Sequence, residues 1–285
     1  MNTGTPRLWL ALAAMFVASF AALGMIGGEI YQKAPPIPDR VVTENGETLY
    51  TKTDIQKGRQ AWQSTGGQQL GSIWGHGGYV APDWSADWLH REAVALRQRL
   101  ARDTHGQSWS ELSAADQAAI QQRVEDQFRT NTWDPETGTV TVSAERAGAI
   151  EQVATHYRKL FGDAPELNAL RNDYALHENA LPDAGNRRRL AGFVFWSSWA
   201  ASTERPGQDI TYTSNWPHEP IVGNKPTAGM GVWSVASIIL LLAGIGLMVW
   251  YHASQKEEES PKVPDSDPLG AIKPTPSMLA TRKYF

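Results

Sequence analysis

Apolar and polar positions divide the chain into segments of different kinds. Two runs carry no charge: Leu8 to Gly28, over 21 positions, and Gly229 to Tyr251. At about 1.5 Å per residue, a helix of either length spans roughly 30 Å, the thickness of a hydrocarbon core. Trp233 and Trp250 stand near the ends of the second run, where interfacial aromatics belong. The first run is longer than the about 7–15 apolar residues of a secretory signal, which favours a retained anchor over a cleaved leader.

Between these runs the periodicity is helical. Leu89, Ala93, Leu96 and Leu100 predict an amphipathic helix over 85–103. Ile120, Val124 and Phe128 do the same over 113–129, with Ser113 as N-cap. Ala147, Ile150, Ala154, Tyr157 and Phe161 mark a helix over 143–161, stopped by Gly162. Thr53 with Gln56 fits a capping box, so a helix is expected from there to about Ser64. Asp134 to Gly138 reads as a turn, and the TVTV after it as a short strand.

Other segments lack a clear period. KAPPIPD, residues 33–39, is an extended Pro-rich exit from the first apolar run. RRRLAGFVFWSSWAA, 187–201, is too short in its apolar part to span a bilayer. It fits a helix lying on a membrane surface with Arg187 to Arg189 at the headgroups. It fits a buried helix with a basic flank equally well. The stretch from Glu204 to Thr227 is long and irregular, and there are no internal repeats.

Charge sets an orientation. Arg7 precedes the first run, and Lys256, Lys262, Lys273, Arg282 and Lys283 follow the second. The positive-inside rule places both ends in the cytoplasm. The expected organisation is then a cytoplasmic N-terminus (1–7), a transmembrane helix (8–28), a mainly α extracytoplasmic domain (29–228), a second transmembrane helix (229–251) and a Pro- and charge-rich cytoplasmic linker (252–285). The net charge of −4 over 285 residues gives no reason to expect nucleic acid.

Candidate chemistry is sparse. With zero cysteines, disulfides, a Cys nucleophile, iron–sulfur clusters, thiolate zinc sites and covalently attached c-type haem are excluded. The seven histidines form no HExxH or other close metal pair, and there is no GxSxG and no P-loop. All six methionines lie in the two apolar runs or in the tails, so the extracytoplasmic region has none to offer as a haem ligand.

One stretch nevertheless looks like a cofactor loop: TGGQQLGSIWGHGGYVAPDW, residues 65–84. It resembles the haem-binding loop of the cytochrome c subunit of nitric oxide reductases, a CxxCH motif followed by a Gly-x-Gly-Ala-Tyr-x-Ala-Pro run. The second part survives as Gly75 to Pro82, while Gly67, Leu70 and Gly71 stand where the attachment residues belong. With 58–93, WAASTERPG (199–207) and YTSNWPHEP (212–220), the chain resembles the quinol-dependent nitric oxide reductases, in which a haem-free cytochrome-c-like region precedes a haem-copper-oxidase-like catalytic portion.

The resemblance implies a non-catalytic cap and anchor for the reduction of nitric oxide to nitrous oxide with quinol electrons. The ending resembles the linker before the first catalytic helix, so the chain is expected to be truncated or separated from its catalytic part. Haem b, non-haem iron and the quinol site would lie in that portion, leaving no residue here with a catalytic or cofactor-binding role. Trp62, Leu70, Trp74 and Trp84 are expected to refill the volume a haem would take. The resemblance also implies a calcium ion at the interface, with Gly77 and Tyr79 as ligands through backbone carbonyls. The family has Glu where this chain has His76 and Ala where it has Gly78. Two other readings remain: a two-helix membrane sensor with an extracytoplasmic ligand domain, and a stand-alone cap subunit for a separate catalytic chain.

Overall fold

A computed structural model describes residues 5–256. The fold is mainly helical: α1 (Thr5–Gln32), α2 (Lys52–Ser64), α3 (Trp84–His105), α4 (Ala114–Arg129), α5 (Ala144–Leu160), α6 (Asn168–Asp173), α7 (Ala184–Ser202) and α8 (Ala228–Lys256). Four short strands, β1 (Arg40–Thr43), β2 (Thr48–Thr51), β3 (Trp133–Asp134) and β4 (Thr139–Val142), form one sheet in the order β2-β1-β4-β3. β1 runs parallel to β4, and the other two pairings are antiparallel.

α1 and α8 contain the two uncharged runs. Their segments Trp9–Gln32 and Gly231–Ser254 are long and apolar enough to cross a membrane, and their side chains face outward rather than into a core. The fold divides after Thr227, and α8 belongs to the second unit. The expected linker beyond Lys256, with its basic residues, lies outside the described residues, as do residues 1–4.

Caps set the helix boundaries in the globular part. Ser113 and Ser143 each accept a hydrogen bond from the third residue onward, Asp116 and Arg146, and start α4 and α5 where expected. The capping box of α2 lies two residues earlier than the Thr53–Gln56 pair. Thr51 and Asp54 exchange backbone-to-side-chain bonds at 3.2 and 3.0 Å, because β2 runs up to Thr51 and the helix begins there.

α7 is the central element. Residues Leu190 to Ala201 are buried apart from Trp196, which is half-buried, so this segment is a core helix and not one lying on a membrane surface. α2, α3 and α5 pack around it. Gly58 of α2 lets the first of these approach closely, since a Cβ there would stand 2.0 Å from the Arg189 carbonyl oxygen. Trp196 donates through its indole Nε1 to the Pro36 carbonyl at 2.9 Å, which fastens the Pro-rich exit from α1 to α7.

Two hydrophobic clusters result. One, built on α2, α5, α7 and the start of α3, is rich in aromatic rings. The other, between α3 and α4, is almost wholly aliphatic. A buried ion pair joins them: Glu92 on α3 accepts from Arg146 Nε at 2.8 Å, and their side chains are 0% and 4% exposed. Trp88 Nε1 donates to the same carboxylate at 2.7 Å, and the Arg146 guanidinium lies 4.2 Å from the Phe128 ring centre.

Candidate functional site

The loop between α2 and α3 is folded back on itself. Gly66 and Gly67 take left-handed conformations after α2, with φ of 109° and 51°. The returning strand then pairs with the outgoing one: Gly78 N donates to Gln68 O at 2.5 Å, Ala81 N to Leu70 O at 2.7 Å and Trp84 N to Ser72 O at 2.9 Å. Asp83 ties the loop to the helix. Its Oδ2 accepts from Ser72 Oγ at 2.8 Å and from Gly75 N at 2.6 Å. Its Oδ1 accepts from Ser85 Oγ and from Ala86 N, the latter as the N-cap of α3.

The loop tip projects outward. Tyr79 is 81% and Val80 55% exposed. Trp216 lies against the same loop, its indole 3.2 Å from where a Cβ of Gly75 would be. The 211–217 loop that carries Trp216 is held in shape by reciprocal bonds between Thr211 and Asn215, at 3.0 and 2.7 Å. Trp199 packs on Tyr212 in a tilted arrangement with ring centres 5.6 Å apart. Trp74 Nε1 donates to the Ser197 carbonyl at 2.7 Å. The three stretches 58–93, 199–207 and 212–220, far apart in sequence, therefore meet at one end of the domain.

At the bottom of the loop, Gly71 touches Trp84. A Cβ at 71 would stand 2.5 Å from the Trp84 Nε1 and 2.6 Å from the Pro82 carbonyl oxygen. Trp84 itself is fully buried against Tyr157, Phe161 and Tyr174. Tyr157 donates to Asp87 Oδ2 at 2.9 Å, and burial with the Asp87 charge pushes its phenol well above the ordinary range.

Of the four residues expected to refill a haem volume, Trp62 and Trp84 are buried in the aromatic cluster, and Leu70 and Trp74 pack half-buried against it. Leu70 also reaches the surface. One side of it faces a surface groove of about 530 Å³, shared with Thr65, Gln69 and residues 175–180. The loop beyond α6 does not close over it.

A family profile for the NorB cytochrome c-like domain of nitric oxide reductase matches residues 38–218. The chain belongs to this family. The matched span starts just before β1 and ends in the 211–218 loop, so it covers both clusters and the loop face. A search among curated proteins finds none that matches. Membership of this family points to membrane association and to a catalytic partner.

A cytochrome-like domain also raises the question of haem. The residues at the attachment positions do not fit covalent attachment. Gly67, Leu70 and Gly71 offer neither thiol nor imidazole, and the space beside Gly71 is taken by the Trp84 indole. Among the described residues no group of three or more His, Cys, Asp or Glu side chains is placed to hold a metal ion. The carbonyl oxygens of Gly77 and Tyr79 accept no hydrogen bond among the described residues. Sequence reasoning did not single out Asp83 and Trp216. An Asp immediately before a helical period is a cap signal that points to the first; the second is visible only in three dimensions.

Proposed function

We propose that the chain is the haem-free, non-catalytic N-terminal part of a quinol-dependent nitric oxide reductase. In this reading, α1 and α8 anchor it with both termini in the cytoplasm. The domain between them is extracytoplasmic and caps the haem-copper-oxidase-like portion, which converts nitric oxide to nitrous oxide. The observation that carries the reading is the Gly71–Trp84 contact: a retained cytochrome loop whose axial-ligand position has no side chain and is backed by an indole. When quinol delivers electrons from within the bilayer, an external haem has no relay task. A cap excludes water from the low-dielectric site beneath it.

Tyr79, Val80 and Trp216 are the contact face of this cap. Aromatic residues are enriched at such interfaces because they bury much area with little conformational loss. A calcium ion at that interface would use the free carbonyls of Gly77 and Tyr79. Calcium takes 6–8 oxygens, so the partner would supply the remainder.

Affinity purification of the chain from native membranes, with absorption spectra of the product, tests the proposal. A haem-rich membrane partner should co-purify with the chain, and Tyr79→Asp with Val80→Asp should lose it. The chain alone should lack a Soret band. Tightly held porphyrin in the isolated chain overturns the haem-free assignment, and failure to recover any redox partner overturns the cap.

A further inference from the structure

Away from the loop face, a groove of about 730 Å³ runs between α3 and α5. Its size is that of a small-molecule site. His90, Arg91, Gln98, Arg99 and Arg102 line it from α3, and His156 from α5. The charged residues differ in how they are paired. Arg91 is held by Asp87 and His90 by Glu219, each at 2.8 Å. Arg99 and Arg102 form no ion pair or hydrogen bond through their guanidinium groups among the described residues. Asp103 also lines the groove and pairs with neither. The unpaired side chains therefore sum to +2 from the arginines against −1 from Asp103.

Two further features show that the groove is shaped around this charge. The Arg99 guanidinium lies flat against α5 at Gly148, where a Cβ would stand 2.5 Å from its central carbon. Any other residue at 148 would displace it. His156 Nε2 is shielded from solvent yet has no hydrogen-bond partner. A shielded polar atom without a partner carries a desolvation cost. Burial, with the nearby Arg91 cation, holds the imidazole below its ordinary pKa and so neutral.

We propose that this groove binds a small, multiply charged oxyanion of the phosphate or diphosphate class, with Arg99 and Arg102 as the pairing cations. Residues three apart on a helix are neighbours on one face, so the two guanidinium forks can grip adjacent oxyanion groups. Guanidinium matches phosphate oxygens two at a time.

The test is calorimetric titration of the full chain in phosphatidylcholine nanodiscs with sodium pyrophosphate at low salt. Saturable binding is expected, weakened at least tenfold in Arg99→Gln with Arg102→Gln. Gly148→Ala should also weaken it, because it keeps every charge but moves the Arg99 fork. A bound oxyanion should raise the apparent pKa of the His156 ring, read by NMR. Competition that appears only when phosphatidylglycerol is added to the discs assigns the same site to a lipid headgroup rather than a free phosphate. Absence of saturable binding overturns the proposal. Equal binding by the double variant also overturns it, because that would assign the effect to other surface arginines.

Discussion

The two hydrophobic clusters differ in the shape of what fills them. The cluster beneath the loop holds nine buried aromatic residues: Tyr50, Trp62, Trp84, Trp88, Tyr157, Phe161, Phe193, Phe195 and Trp199. The cluster between α3 and α4 holds one, Phe128, among leucine, isoleucine, valine and alanine. Aliphatic side chains interdigitate at short range and suit a simple helix pair. Flat rings fill a broad slab at little cost in conformational entropy. The aromatic side is also the side on which the cytochrome-type loop closes. Large rings are concentrated there, one of them against Gly71.

Several substitutions would break or sharpen this contrast. The largest effects are expected where the clusters meet and where the rings are thickest. Glu92→Ala leaves the Arg146 cation buried without its partner, and about 3–5 kcal/mol of stability should be lost in denaturant unfolding. Trp84→Ala should cost about 3–5 kcal/mol, against about 2–5 for Leu100→Ala in the aliphatic cluster. A Trp84→Ala protein that unfolds no earlier than the Leu100→Ala protein would remove the special status of the aromatic side.

Gly71→Ala should cost about 1–3 kcal/mol through overpacking against the indole. The same change made in a Trp84→Phe background should cost less, and additivity of the two would show that they do not touch. Asp83→Ala removes the α3 cap and two loop bonds, so a loss of at least about 1 kcal/mol is expected, together with faster amide exchange across 72–76.

The smallest effect concerns pH. His156 titrates near 6.5 when unfolded and lower when folded, because burial and then Arg91 disfavour its charged form. Between those two values the unfolded chain binds more protons, so stability falls as pH drops below about 6.5. His156→Gln should flatten that part of the stability curve; an unchanged slope would assign it to other groups.

Long periodic segments were legible from sequence. The helices over 85–103, 113–129 and 143–161 are present with ends shifted by a few residues, since their apolar stripes face one core each. The ambiguous 187–201 segment is a helix buried on nearly all sides, so it has no amphipathic stripe to mark it. β1 and β2 were missed. They are four residues each, and only the Asn45-Gly46 turn between them announces a hairpin. The parallel partner of β1 is β4, about a hundred residues on, and no local pattern reveals that pairing. In the site, the glycine loop was visible as a motif. Its meeting with Trp216 and the unpaired arginines of the groove depend on how distant segments pack.

The bond from Trp196 to Pro36 has a spatial consequence. The fastening point, Pro36, stands only four positions beyond the end of α1 at Gln32, and four residues reach at most about 14 Å. With α1 in a bilayer, the globular body is kept on a short leash. That edge of the body is therefore held near the end of the anchor helix.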